Sequence, residues 1–187
     1  MIRAVLDACV LYSASLRDFM LRLAGAKVYH PRWSEEIQNE WTRNLLQNRP
    51  DLTREKLERT CREMDLHFPH GLVRGYDSIL SALTLPDPND RHVLAAAIHA
   101  KARIIVTFDL SDFPETALYH YGIEALSPDE FVLRLIQKRS DRVLQAVKDH
   151  RLGLTRPPKT VDEYLTTLEN RGLLRTVAFL REHENNI

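Results

Sequence analysis

Four acidic residues punctuate this sequence where strand-like and helix-like segments meet: Asp7, Glu40, Asp90 and Asp109. Asp7 in RAVLDACVLY and Asp109 in RIIVTFDLSDF close short β-branched apolar runs that read as parallel strands. Asp90, in LPDPNDRHVLAAAIHA, opens a strongly apolar helix. In an open α/β sheet the ligand crevice lies at the carboxyl ends of the strands, so these carboxylates would converge. Converging carboxylates raise one another's pKa unless a cation offsets them. The economical reading is a divalent-metal site, and oxygen-only ligands suit Mg²⁺ or Mn²⁺.

Each acid also has a plainer reading. Asp7 could simply end a strand and cap the next helix, and Asp109 could be a turn residue. On a helix carrying Ile37, Trp41 and Leu45 as its buried stripe, Glu40 lies about 60° from Ile37 and Glu36 about 100°, which puts Glu40 nearer a cleft. Aspartate is a common N-cap, but Asp87 followed by Pro88 already makes a good helix start, leaving Asp90 free to face the cleft. Asp87 is itself a secondary ligand candidate. Asp112 fits an accessory metal acid or a helix cap equally well. Thr107 could hydrogen-bond a ligand carboxylate or serve as a β-branched strand residue.

The elements that position these groups alternate. Strands are expected over 2–6, 27–30, 103–107 and 122–126, with Pro31 stopping the second. Helices are expected over about 10–24, ending at Gly25 as a C′ glycine, then from Ser34, over 53–66 with Cys61 in the core, 76–83, and from Asp90 to about 101. A further helix starts at Ser127-Pro128 and a last one covers roughly 160–184. Alternation of this kind indicates a parallel sheet covered by helices on both faces. The pattern sets residues 1–139 as one domain and 140–187 as a basic helical extension. Basic residues crowd Arg134–Lys159, which could hold RNA phosphates or be a solvated helix face.

The chain has 187 residues, 44% of them hydrophobic, enough for a real core. Its formal net charge is +0, so a polyanionic partner would have to be met by local patches. No run approaches the roughly 20 apolar residues of a membrane helix, and the N-terminus lacks a signal-peptide layout. Two cysteines make no disulfide framework. A cytoplasmic location is expected. The GxGxxG of a dinucleotide fold is absent after the first strand. The eight histidines form no HExxH, and His92 and His99 read as surface residues. Tyr119, His120 and Tyr121 read as an edge strand, with base contacts as the alternative.

The order of these acids resembles the PIN domain family. The telling segment is DPNDRHVLAAAIHAKARIIVTFDLSDF, in which an Asp begins an alanine-rich helix and the next strand ends in T-x-D-x-x-F. LDACVLY is similar to the family's opening Asp followed by a small residue and an apolar pair. The likeness covers about residues 2–130. One departure is Cys9, where many members carry Asn; a soft thiol is a poor magnesium ligand, so Cys9 is expected to pack behind the site. The basic extension resembles that of a bacterial subgroup described as toxins.

The resemblance implies a three-layer α/β/α fold with a central parallel sheet of about four to five strands and a C-terminal helical extension. It implies a Mg²⁺/Mn²⁺-dependent endoribonuclease of the VapC type that leaves a 5′-phosphate and a 3′-hydroxyl. In that reading Asp7, Glu40, Asp90 and Asp109 hold the metal. The implied partners are RNA, a small DNA-binding antitoxin and a second copy of the chain in a homodimer. Competing functions are a metal-incompetent scaffold binding RNA or protein, and a nuclease of housekeeping RNA processing. A haloacid-dehalogenase-like phosphatase needs a second Asp where Cys9 stands, and the acidic pair of a response-regulator receiver is not evident.

Overall fold

A computed structural model describes residues 1–187. Five parallel strands form one sheet in the order β3-β2-β1-β4-β5, with β1 (Arg3–Leu6), β2 (His30–Ser34), β3 (Leu72–Val73), β4 (Ile104–Val106) and β5 (Glu124–Leu126). The fold class is α/β with a parallel sheet, of the kind the sequence implied. The helices are α1 (Ala8–Tyr12), α2 (Ala14–Gly25), α3 (Glu35–Asn48), α4 (Arg54–His67), α5 (Asp77–Leu80), α6 (Arg91–His99), α7 (Glu115–Leu118), α8 (Pro128–Gly153), α9 (Val161–Glu169) and α10 (Leu174–Arg181).

The chain packs as two compact units. The first comprises residues 2–12 and 30–126 and contains the whole sheet. β1 and β4 are its fully buried centre: Ala4, Val5, Leu6, Ile105 and Val106 are each 0% exposed. Such β-branched and apolar runs without alternation are what a strand covered on both faces requires. α6 lies against β1, β2 and β4 through Val93 to Ala97, all buried. Its alanines let helix and sheet approach closely. α3 packs on α1, α4 and β2 with Ile37, Trp41 and Leu45 inward, and Ser34 caps it by accepting from the Ile37 N–H at 3.2 Å.

The second unit comprises Met1, residues 13–29 and residues 127–187, so that α2 packs with the C-terminal helices. α8 begins in a capping box between Ser127 and Glu130, which satisfies two otherwise orphaned N–H groups. It spans the 139/140 boundary expected from the sequence, with a kink where Arg139 leaves helical geometry (φ -153, ψ 49). His150 is buried between Tyr164 and Asp18, its Nδ1 2.9 Å from Tyr164 Oη and its Nε2 2.9 Å from Asp18 Oδ2. In the basic stretch from Arg134 to Lys159, Arg151 donates to the carbonyls of Lys159 and Ile187, and Lys159 donates to Thr167.

Several expectations need correction. Pro31 does not stop the second strand; it lies inside β2. The His30 N–H bonds Ile2 of the β1 side and the Trp33 N–H bonds Gly71 beside β3. Pro31 therefore turns its missing N–H to the side where β3 has not yet begun, a place where proline is tolerated. Gly25 is the last residue of α2, and the left-handed position falls on Lys27 (φ 57). Cys61 is half-buried, whereas Leu57 and Met64 of α4 are buried. The first expected helix is two, α1 and α2, with Ser13 capping the second. The last is also two, because the turn at Gly172 (φ 82) separates α9 from α10. Residues 119–121 form a 3-10 turn closed by Gly122 (φ 63), not a strand.

Candidate metal centre

Parallel pairing of β1 with β4 sets Leu6 opposite Val106, which brings the next residues, Asp7 and Thr107, side by side. The Asp7 N–H continues the ladder to the Val106 carbonyl at 3.0 Å. Asp7 is only 6% exposed. Its Oδ1 accepts from the Ala8 N–H at 2.7 Å and its Oδ2 accepts from Thr107 Oγ1 at 2.7 Å. Burial pushes the Asp7 carboxyl up; the hydrogen bonds from Thr107, Ala8 and Cys9 oppose this, and the charge of Glu40 adds to it.

Thr107 is fully buried and does two jobs. While donating to Asp7, its hydroxyl accepts from the Asp109 N–H at 3.0 Å, a local side-chain-to-backbone bond of the kind threonine forms at turns. That bond shapes the turn carrying Asp109 out of β4. One oxygen of Asp7, one of Asp109 and the Cys9 sulfur all lie within 4.8 Å of one another. Asp109 is exposed, so the pair offers one buried and one solvent-facing carboxylate.

Cys9 is not merely packed behind the site. Its Sγ is 3.3 Å from Asp7 Oδ2 and 3.4 Å from Thr107 Oγ1, and it accepts from the Phe108 N–H at 3.3 Å. Burial, then the charge of Asp7, pushes the thiol far above its usual range. It therefore stays protonated and acts as a hydrogen-bonding tie between the ends of β1 and β4.

Asp90 ends a 3-10 turn, residues 88–90, that leads into α6. Asp87 caps that turn by accepting from the Asn89 N–H at 2.8 Å, and Asp90 makes no capping bond. Its carboxyl is pushed up to about 7, first by burial and then by the negative charges of Asp7, Asp87, Asp112 and Glu40. Asp7, Asp87, Asp112 and Glu40 are thus near enough to act on Asp90, while the close approach of ligand atoms is confined to Asp7, Cys9 and Asp109. Asp112 is half-buried in the 3-10 turn after Asp109.

Glu40 is half-buried on α3, and its Oε2 lies 3.6 Å from His92 Nε2 on α6. Glu36, one turn earlier, accepts a short hydrogen bond from the Tyr76 hydroxyl. Burial works to raise the Glu36 carboxyl, but that bond and the neighbouring His92 bring it below its usual value. Glu36 is thereby occupied by Tyr76. His92 is the site residue that sequence reasoning missed: its side chain is 16% exposed and its Nδ1 is buried without a hydrogen-bond partner. Its position two residues after Asp90, on the first turn of α6, was the available signal.

Arg22, Arg49, Arg59 and Arg181 form ion pairs away from these acids, with Asp18, Asp51, Glu63, Asp162 and Glu184. The acid cluster instead has hard oxygen donors, raised carboxyl pKa values and a protonated thiol. That donor chemistry fits a hard divalent cation.

A family model described as PIN domain matches residues 3–111, more than half of the chain and inclusive of all four acids. The chain belongs to the PIN domain family. A second model, described as VapC50 C-terminal domain, matches residues 128–182. The chain is 45% identical over 69 residues to a Mycobacterium tuberculosis protein named "Putative ribonuclease VapC50". That stretch is 35% of this chain and 40% of the length of the relative. No solved structure matches the chain.

Proposed function

We propose that this protein is an endoribonuclease that hydrolyses RNA phosphodiester bonds at Asp7, Glu40, Asp90 and Asp109 with a bound Mg²⁺ or Mn²⁺. The observation that carries the reading is the approach of buried Asp7 to exposed Asp109 within 4.8 Å, at the carboxyl ends of two adjacent parallel strands. Asp90 and Glu40 add their charge to the same region. Asp87 and Asp112 are accessory candidates, and Thr107 orients Asp7.

A divalent cation in such a site supplies neutralisation of the phosphate and acidification of an attacking water. The residues of the chain have separate tasks. Thr107 and Ala8 hold both Asp7 oxygens in place. Asp109, facing solvent, is placed to meet the substrate side. Asp90, whose carboxyl is raised by burial and by the neighbouring carboxylates, would give up its proton to hold the cation.

Membership in the PIN family and likeness to a protein named as a ribonuclease support the nuclease reading. Likeness to that relative and to its C-terminal domain model supports a toxin of a toxin–antitoxin pair. In this reading the protein acts in the cytoplasm, residues 1–139 are the nuclease and 140–187 its helical extension. A small DNA-binding antitoxin covers the acids, and the toxin pairs as a homodimer. No helix of the structure is long and apolar enough to cross a membrane.

The test is incubation of purified protein, freed of co-purifying partners, with structured RNA and with single-stranded DNA in Mn²⁺ or Mg²⁺. Cleavage of RNA that EDTA and Asp7→Asn both abolish is the expected result. Absence of cleavage, together with no metal uptake by calorimetry, would overturn the proposal and leave a binding scaffold.

A further inference from the structure

A polar cavity lies at the β2–β3 side of the sheet, with a volume of about 620 Å³. Its lining includes Arg3, Arg32, Arg74, His30, His70 and His99, and no acidic residue. The formal charge of the chain is balanced, 26 basic against 26 acidic residues. A cavity walled by three guanidiniums and three imidazoles is therefore a local segregation of charge.

The fold explains the segregation. Along β2 the side chains alternate, so Pro31 and Trp33 turn to the buried face while His30 and Arg32 turn into the cavity. Arg3 joins them from the start of β1, paired opposite His30. Arg74 follows β3, and His99 closes α6. Arg3 donates to the Ala100 carbonyl at 3.4 Å, and Arg32 to the Pro31 carbonyl at 2.8 Å. Each guanidinium has further donors to spare.

The groups repel one another. Burial first, then the positive charges of Arg32, Arg3 and His70, hold the His30 imidazole below its usual value. Burial and Arg3 likewise lower the Arg32 guanidinium. A bound polyanion would relieve that repulsion. The cavity's apolar lining is confined to Pro69, Leu72, Val73 and Ala100, without the aromatic anchors that mark the centre of a protein interface.

We propose that this cavity binds phosphates of a single-stranded RNA backbone and so forms an anchoring site separate from the acid cluster. Four residue-to-residue steps of about 3.3 Å each lead from Arg3 to Asp7, about 13 Å along β1. The cavity and the carboxylates thus sit toward opposite ends of β1. The proposal rests on the RNA reading above, but its test does not require cleavage.

The experiment measures anisotropy of a 5′-labelled single-stranded RNA 20-mer in EDTA, across a salt series, with wild type, Arg32→Gln/Arg74→Ala and the single exposed variant Arg74→Glu. Each phosphate contact on a single strand contributes about −0.7 to the slope of log K against log salt. The double variant is expected to bind roughly tenfold more weakly, with a slope reduced by about 1.4. Arg74→Glu, with unchanged circular dichroism, is expected to weaken binding in the same direction. Unchanged affinity and slope in folded variants would overturn the proposal. So would loss of calorimetric pyrophosphate binding, or of binding to a Glu-rich peptide, in variants whose RNA affinity is unaltered, because the cavity would then serve a small anion or a protein. RNA cleavage by wild type alongside unaltered binding by the variants would sink this inference alone. Weakened binding by the variants, without any cleavage by wild type, would support the cavity and sink the nuclease reading.

Discussion

The Thr107 hydroxyl donates to Asp7 Oδ2 at 2.7 Å across 100 positions of sequence, joining the ends of β1 and β4 into one acidic site. The same oxygen accepts from the Asp109 N–H, so one side chain sets the orientation of two candidate ligands. Groups that orient ligands in this way usually contribute about 10–100-fold to metal affinity. Thr107→Val keeps the volume and removes both bonds. We expect Mn²⁺ affinity to fall by about that factor while the far-ultraviolet circular dichroism is retained. Calorimetric titration of both proteins checks it, and equal affinities would exclude the orienting role.

The raised carboxyl of Asp90 makes the metal-free protein sensitive to pH. Its ordinary value is 3.8 and its value in the fold is about 7. Between these the folded state holds a proton that the unfolded chain has released, so stability falls as pH rises from about 4 to about 7 and then levels. Asp90→Asn is expected to raise the melting temperature of the metal-free protein at pH 8 and to leave it nearly unchanged at pH 4. Thermal melts in EDTA at the two values test the sign. For the same reason, metal uptake should release protons below pH 7, measurable by titration in buffers of different ionisation enthalpy.

In the helical unit, the buried His150 bridges Asp18 and Tyr164. The hydrogen bond from His150 is the largest influence on Asp18 and lowers its carboxyl below 3.8, against the opposing effect of burial. A lowered acid contributes stability that is present above its unfolded value and is lost as pH falls through the folded one. His150→Ala strands the Tyr164 hydroxyl and should cost about 1–3 kcal/mol at neutral pH. The acid limb of the wild-type stability curve below pH 4 should also become shallower. Urea denaturation at pH 7 and pH 3 reads both effects.

Gly71 is required by sterics. A Cβ there would lie 2.7 Å from two atoms of the Trp33 ring, and Trp33 is fully buried. The ring cannot move freely, because its Nε1 donates to Asp65 Oδ1 at 2.8 Å and its own N–H bonds the Gly71 carbonyl. Overpacking of this kind costs about 1–3 kcal/mol. Gly71→Ala should therefore lower stability and loosen β3, visible as faster amide exchange at Trp33.

The sequence by itself determined the parallel α/β class, the strand centres at 3–6 and 104–106, the capped starts at Ser34 and Ser127, and the acids at strand ends. These follow from local patterns: β-branched runs, a Ser before a helix, Asp87-Pro88 at a first turn. Only the tertiary structure decided the rest. β3 is two residues long and has no period to read; it exists because Trp33 and Ser34 pair with it. Pro31 reads as a stop until the late start of β3 leaves its nitrogen unpaired without cost. His92 reads as surface until α3 brings Glu40 beside it. Cys9 becomes a tie, and Arg3, Arg32 and Arg74 become one cavity, through the register of separate strands. Hydrophobic period and capping are encoded within a few residues, whereas hydrogen-bond partners and charge neighbours depend on contacts between distant segments.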